Sequence, residues 1–593
     1  MSPAERLAAL RQRLTDDGLD GFVVPHADAH QNEFLPADAE RLAWLTGFNG
    51  SAGTAVVLKD RAAIFVDGRY TLQVRDQVDA DLYDFHHLVE EPVPDWVAAV
   101  LPKGARLGYD PWLHTQTQLE RLQKAVAGAG AALEPVAENP VDAIWADRLP
   151  PPRARAEPHP ERFAGRSSAE KRAELANELL ADHAAAVVLT QPDSIAWLLN
   201  IRGGDVDHTP LTLSFAILHD DASVDWFVAP EKVTGGLYDH LGDGVRIQPP
   251  DAFAAALDGL SGKNVGVCPD SVAAWVFTRL EAAGATIGRG RDPITLLKAI
   301  KNDTELAGTR AAHARDGAAL VRFLHWLAEM AGEGGVDEVS AADKLAAFRA
   351  GGEYFRDLSF GTISGAGPNG AIVHYRVTPE TNRGLAPGEL YLVDSGAQYL
   401  DGTTDVTRTV AIGDPTDEMR DRFTRVLKGL IAIATLRFPA GTTGAQIDAF
   451  ARHALWQAGL DFDHGTGHGV GSYLGVHEGP QRISKAGSGT ALQPGMIVSN
   501  EPGYYKAGAY GIRIENLVAV TPAADFPGGE RPMLGFETLT LAPIDRAVID
   551  TGLLSEGERS WIDAYHARVA AEIGPLVDGP AVEWLAVVTA PLD

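Results

Sequence analysis

The sequence holds a single cysteine, Cys268, in 593 residues. No intrachain disulfide can form, so the fold depends on packing rather than covalent staples. Basic residues are scarce: 51 Lys and Arg stand against 80 Asp and Glu, a formal net charge of −29. So acidic a chain repels phosphate backbones, which argues against a nucleic-acid partner. Long apolar runs are missing as well. Nothing approaches the ~18 apolar residues that a membrane span needs. Met1 to Leu14 carries Glu5, Arg6, Arg11 and Arg13 and lacks the apolar core of a signal peptide. What is present is ordinary globular composition, 45 % hydrophobic and 22 % charged, which excludes a disordered, collagen-like or disulfide-scaffold chain. At about 150 residues per domain, two to four domains are expected. The chain reads as soluble and cytoplasmic, with no membrane or nucleic-acid partner.

Composition divides the chain in three. Leu149-Pro-Pro-Pro-Arg to Pro158-His-Pro160 is proline-rich and reads as a linker, because proline fixes φ and removes a donor. A second boundary lies near 290–302, before a helical pattern that starts at about Asp303, taken as the N-cap, with Glu305 in its first turn. The segments are thus 1–150, 165–298 and 303–593. The first two look like relatives. An amphipathic helix and a short apolar strand occupy Leu7 to Val24 and again Leu175 to Leu189. Each is followed by a tryptophan tag, Ala43-Trp-Leu-Thr and Ala196-Trp-Leu-Leu, with an insertion of roughly 11 residues in the first copy. Alternating helices and strands predict α/β layering in both.

The third segment has its own repeat, and it carries acids. Leu385-Ala-Pro-Gly-Glu-Leu-Tyr-Leu-Val-Asp394 aligns with Leu492-Gln-Pro-Gly-Met-Ile-Val-Ser-Asn-Glu501. In both, a Pro-Gly turn leads into an apolar strand and a carboxylate. A second acid follows on a further strand, Asp405 in one copy and Glu515 within Gly511-Ile-Arg-Ile-Glu515 in the other. Tyr399 to Thr403 reads as the loop between the first two strands. Alternation places Asp405, Thr407 and Thr409 on one strand face. Two matching units predict pseudo-twofold symmetry with acids meeting at the centre. Buried acids side by side repel unless they are protonated or bridged by a cation.

His464-Gly-Thr-Gly-His468-Gly-Val-Gly and His477 add imidazoles in a glycine-rich stretch. No Lys-Ser or Lys-Thr follows, so a phosphate loop is not expected. The reading is one histidine ligand beside two acid/base or oxyanion-stabilising histidines. The ligand set is Asp394, Asp405, His468, Glu501 and Glu515. Four carboxylates balance two divalent cations. Oxygen-rich donors with one imidazole favour Mn²⁺ and tolerate Co²⁺, Fe²⁺ or Zn²⁺. Two such ions ~3.5–4 Å apart can acidify a shared water, which suits amide hydrolysis.

With these motifs, and with Ser359-Phe-Gly-Thr to Val373-His374-Tyr375, Gly402-Thr-Thr-Asp-Val-Thr-Arg-Thr409, Val476-His-Glu-Gly-Pro480, Asn500-Glu-Pro-Gly-Tyr-Tyr505 and Ile512-Arg-Ile-Glu-Asn516, the third segment resembles the pita-bread metallopeptidases. The likeness is strongest to three-domain, cytosolic Xaa-Pro aminopeptidases. It extends upstream through Val66-Asp-Gly-Arg-Tyr70 and Ile195-Ala-Trp-Leu198. The resemblance implies an α/β (α+β) architecture of two creatinase-type domains ahead of a pita-bread domain with a C-terminal extension. It implies removal of the N-terminal residue from short peptides with proline second, and a homodimer. His374, His477 and Glu501 would be catalytic, His374 and His477 holding the scissile carbonyl. His464 would line the proline pocket, Arg513 would orient a ligand carboxylate, and Arg69 would contact substrate. Otherwise Arg513 is an ordinary strand arginine facing solvent and Arg69 an exposed arginine in a turn. The alternatives are a prolidase, a methionine aminopeptidase or a non-catalytic pita-bread binding module.

Overall fold

The computed structural model describes residues 1–331 and 334–592. The chain forms two compact units, Met1–Glu161 with Arg166–Thr295, and Arg162–Gly165 with Leu296–Asp593.

The first unit contains two six-stranded sheets of one plan. Strand Gly21–Pro25 is central in the first, antiparallel to Thr54–Leu58 and parallel to Arg106–Tyr109. Ala186–Leu189 takes the same place in the second, antiparallel to Phe215–His219 and parallel to Asn264–Val267. The outer strands repeat the same order and the same parallel and antiparallel pairings. The preceding helices, Pro3–Asp16 and Ser168–Ala181, each open with a capping box, Ser2 with Glu5 and Ser167 with Glu170. The tryptophan tags become helices Arg41–Thr46 and Pro192–Leu199. The duplication expected from sequence is therefore a duplication of topology. The proline-rich stretch is irregular over 151–156, but it is not a free linker. Glu157–Pro158 pairs with Ile201–Arg202, and the Ala156 amide donates to the Lys232 carbonyl at 2.9 Å.

The second unit repeats a different motif, a helix pair followed by acid-bearing strands. Helices Asp303–Met330 and Glu338–Ala350 precede strand Glu389–Ser395, which lies between Ile363–Ala366 and Val406–Ile412. Helices Asp417–Ala434 and Gly444–Trp456 precede Ile497–Asn500, which lies between Gly467–Gly469 and Asn516–Val520. Three local expectations change. The cap of the long helix is Asn302, not Asp303, since its side chain accepts the Glu305 amide and Glu305 closes the box. Tyr399 to Thr403 is no plain loop: Ala397–Tyr399 and Gly402–Thr403 form a tight hairpin. The strand expected to end at Glu515 stops at Arg513, so Glu515 stands at a junction, its amide donating to the Thr407 carbonyl at 3.1 Å.

Apolar burial fixes the register of the acids. Leu390, Tyr391, Leu392 and Val393 are all buried, and each such side chain contributes ~1.5–3 kcal/mol. A one-residue slip would move Asp394 to the opposite face, so core packing and site geometry cannot be separated.

The C-terminal region is bound to this core by helix Glu556–Ile573, which buries Ile562, Tyr565, His566, Val569 and Ile573. His566 Nε2 accepts the Ile544 amide at 3.1 Å. Burial, then Arg408 and Arg546, push His566 down to about 4 from its usual 6.5. Its neutral form is therefore the folded form. The unfolded chain takes up a proton near pH 6.5 and the native state does not, so this contribution is present above 6.5 and is lost as pH falls toward 4. Between pH 7.5 and 5.5 the wild type should lose more stability in urea melts than His566→Gln, whose amide oxygen can still accept from Ile544. The difference should be on the order of 1 kcal/mol. Parallel pH profiles would contradict this role.

Candidate metal centre

The five expected ligands come from both halves of the second unit. Asp394 is the penultimate residue of strand Glu389–Ser395 and pairs in register with Thr407, which lies one residue inside the strand that follows Asp405. His468 lies on Gly467–Gly469, opposite the stretch that leads to Glu501. Gly467 allows that approach, because a Cβ there would stand 1.9 Å from the Ser499 carbonyl oxygen.

Donor atoms of Asp405, His468 and Glu515 lie within 4.8 Å of one another. Glu501 Oε1 is 3.8 Å from His468 Nε2, and Asp405 Oδ2 is 3.4 Å from it. His468 Nδ1 contacts the Gly469 carbonyl at 2.9 Å. That hydrogen bond places a ring proton on Nδ1 and turns Nε2, the nitrogen that would bind a metal, toward the acids.

The acids are crowded, with Arg513 as a cationic partner for Asp394. Burial raises Asp394 above the usual carboxylate range, with Asp405 adding to it, and Arg513 opposes the shift. Burial also raises Glu501, and it raises Glu515 strongly, with Asp405, Glu501 and Asp394 as repelling neighbours. Burial alone would lower His468, but Asp405 and Glu501 carry it up to about 9. Among the described residues, Asp394 Oδ1, Asp405 Oδ1 and Glu515 Oε1 are buried without a hydrogen-bond partner. Buried oxygens that no protein donor satisfies fit the coordination of hard or borderline divalent cations. The donor set of four carboxylates and one imidazole fits two such ions.

The remaining carboxylate oxygens are aimed by neutral and cationic groups. Thr407 Oγ1 donates to Glu515 Oε2 at 2.8 Å and accepts from Arg513 Nε at 3.2 Å. Ser499 Oγ accepts the His468 amide and donates to Glu501 Oε1. Arg513 is 1 % exposed, so the solvent-facing alternative for it does not hold. Its Nη2 donates to Asp394 Oδ2 at 2.7 Å, and its Nη1 donates to the Tyr505 hydroxyl at 2.6 Å. The Tyr505 hydroxyl stands 2.8 Å from His464 Nε2, while His464 Nδ1 contacts the Gly465 carbonyl at 2.8 Å. A continuous chain thus runs Asp394–Arg513–Tyr505–His464.

His477 packs edge-on to His468, with ring centroids 4.3 Å apart. His374 lies in a turn after the short helical segment Gly367–Ala371, and the preceding carbonyl, Val373 O, accepts from Arg513 at 3.3 Å. Nine of the ten candidate residues fall in the second unit. Arg69 lies in the first, where it is part-buried rather than exposed: its guanidinium donates to Asp67 at 2.8 Å and stands 3.5 Å from Glu33. Two functional neighbours, Tyr505 and Thr407, carried no role in the sequence reading. Thr407 shares the face on which alternation puts Asp405, and Tyr505 is the last residue of Asn500-Glu-Pro-Gly-Tyr-Tyr505.

Known proteins match this arrangement from end to end. Residues 307–522 match metallopeptidase family M24, and 532–592 match the C-terminal region of that peptidase. Residues 6–149 and 147–305 match two creatinase/prolidase N-terminal domains. Aminopeptidase P2 of Arabidopsis thaliana is 40 % identical over 99 % of this chain and 88 % of its own length. A probable Xaa-Pro aminopeptidase P of Laccaria bicolor is 42 % identical over 99 % and 93 %. The crystal structure of X-prolyl aminopeptidase from Caenorhabditis elegans, described as a cytosolic enzyme with a di-nuclear active site, superposes with a TM-score of 0.96. It is 33 % identical and covers all of both chains.

Arg513→Met tests the oxygen-aiming network. It removes donors to Asp394, Tyr505 and Val373 at once, so affinity for divalent metal should fall about 10–100-fold, as when partners behind a metal ligand are lost. Unchanged affinity by calorimetry would show that Asp394 needs no such partner. The chain belongs to metallopeptidase family M24, in the form that carries two creatinase/prolidase N-terminal domains ahead of the peptidase domain.

Proposed function

We propose that this chain is a metal-dependent Xaa-Pro aminopeptidase, which hydrolyses the bond between an N-terminal residue and a following proline. The observation that carries the reading is full-length likeness to the C. elegans enzyme, together with all five acid and imidazole donors gathered at one buried site. Asp394, Asp405, His468, Glu501 and Glu515 would hold two divalent ions. Mn²⁺ is favoured because the donors are mostly carboxylate oxygen. When bound, such ions supply Lewis acidity and lower the pKa of water enough for amide hydrolysis near neutral pH.

The chain's own groups do the rest. His374 and His477 donate N–H groups to the scissile carbonyl oxygen, where negative charge grows. Glu501, 17 % exposed at its side chain, is the ligand carboxylate best placed to accept a proton at a carboxylate oxygen as the reaction proceeds. His464 has both ring nitrogens engaged, Nδ1 on Gly465 and Nε2 on Tyr505. What remains of that ring is a carbon face. Such a face suits the apolar pyrrolidine ring, which has no N–H to satisfy. Thr407, Ser499 and Arg513 keep carboxylate oxygens oriented so that little reorganisation is required during turnover.

A cytoplasmic setting is supported by the cytosolic relative, and among the described residues no helix is long and apolar enough to cross a membrane. A homodimer is part of the proposal through family resemblance, and sedimentation velocity measures it directly.

Specificity is tested with Arg-Pro-Pro peptides, Xaa-Pro dipeptides and N-acetylated versions. The longer free-amine peptides should be cleaved before proline and the acetylated ones should survive. Turnover confined to dipeptides would make the chain a prolidase. Release of methionine before small non-proline residues would make it a methionine aminopeptidase. His477→Ala should retain both metals and lose kcat by about 10²–10³-fold, the usual cost of one lost oxyanion donor. Loss of metal in that variant would make His477 a ligand instead.

A further inference from the structure

Glu338 is a fully buried carboxylate, 0 % exposed, that takes no part in the ligand set. It is the first residue of helix Glu338–Ala350, whose cap is Asp337. That position favours negative charge, since free amides and the helix dipole point at it. The carboxylate is spent on one loop, the connection from strand Ile363–Ala366 to strand Glu389–Ser395, which contains His374. Oε1 accepts the Ala366 amide at 2.7 Å and Asn369 Nδ2 at 2.9 Å. Oε2 accepts the Tyr375 hydroxyl at 3.0 Å and the Arg383 amide at 3.2 Å. Ala366 is where the loop begins, Arg383 lies six residues before the strand that ends it, and Asn369 and Tyr375 flank its functional residue. All four donors are neutral, and each is charge-assisted by the carboxylate.

His374 is therefore bracketed. On one side the Val373 carbonyl accepts from Arg513, which also holds Asp394. On the other side the Tyr375 hydroxyl is held by Glu338 and accepts from Asn369 Nδ2 at 2.8 Å. The loop is also pressed against the site: a Cβ at Gly511 would meet the Gly370 carbonyl oxygen at 1.7 Å. Surface connections of this length are otherwise the mobile part of a fold. Displacing an oxyanion donor by about 1 Å can cost about 10²-fold in rate.

We propose that Glu338 is a positioning residue for catalysis: its carboxylate ties together the start of the loop, Tyr375 and Arg383, and so sets the place of His374 in the site. The inference rests on the reading of His374 as a group that holds the scissile carbonyl.

The test is a double-mutant cycle on the full-length, metal-loaded enzyme with an Arg-Pro-Pro peptide. Glu338→Gln keeps size but turns an –NH₂ toward at least one donor of the loop. Tyr375→Phe removes one hydroxyl and leaves the packing. Each should lower kcat about 10–100-fold, with KM within about threefold and both metals retained. In a His374→Ala background the same changes should cost less than about threefold more, because the group they position is gone. If the losses multiply in that background, if metal loss accounts for them, or if both variants keep wild-type kcat, the clamp is wrong while the His374 assignment stands. If His374→Ala alone keeps wild-type kcat, the assignment fails and the clamp falls with it. Should Glu338→Gln not fold by near-ultraviolet circular dichroism, Tyr375→Phe decides on the same criteria.

Discussion

The constraint on which the rest of this molecule depends is the crowding of four carboxylates at a largely buried site. Asp394, Glu501 and Glu515 are each raised by burial, and Asp405 repels all three. A protein can relieve such a cluster with donors, with counter-charge or with protons. Here donors are rationed. Thr407, Ser499 and Arg513 each satisfy one oxygen of a carboxylate. Three other oxygens stay buried and unmatched among the described residues. One guanidinium and one imidazole do not balance four acids. Added positive charge would relieve the repulsion, and the unmatched oxygens mark where it would be held.

Duplication is how the chain meets the cost of assembling such a cluster. Each half of the second unit places an acid at the end of an apolar strand and another at the start of a neighbouring one. Hydrophobic burial on one side of the strand then supports polar chemistry at its tip. The contact of the halves is itself hydrogen-bonded, with Glu515 N on Thr407 O and Thr409 Oγ1 on Arg513 O. A shift of either half would break core packing and donor geometry together, so the fold leaves the acids little freedom to move apart. The C-terminal region enters the same support. Arg408, between Thr407 and Thr409, donates to the Glu515 carbonyl at 2.7 Å and to the Tyr565 hydroxyl at 2.9 Å, reaching from beneath the acids into the last long helix.

What was legible in sequence and what was not follows from the range of each interaction. Asp394 was legible because a carboxylate closing an apolar strand needs a reason, and Glu501 because it repeats that pattern. Asp405, Thr407 and Thr409 followed from strand alternation, and the structure uses all three. The twin sheets of the first unit were visible in a recurring helix, strand and tryptophan tag. Arg513 was ambiguous, since alternation alone does not say which face of a short strand is buried. Tyr505 and Glu338 carried no role, because their partners lie 8 to 45 residues away and are set by tertiary packing. Boundaries moved for local reasons: Asn302 outcompeted Asp303 as a cap, and the chain from Tyr399 to Thr403 found hairpin pairing instead of a free loop.

The central claim is that the acid cluster is a site for two divalent cations. Calorimetric titration of chelator-stripped protein with Mn²⁺, with stoichiometry checked by native mass spectrometry, tests it directly. The account predicts two ions per chain and a rise in Tm on binding, as for any ligand held by the folded state alone. A plateau below two ions per chain, or two ions bound with no change in Tm, would contradict it.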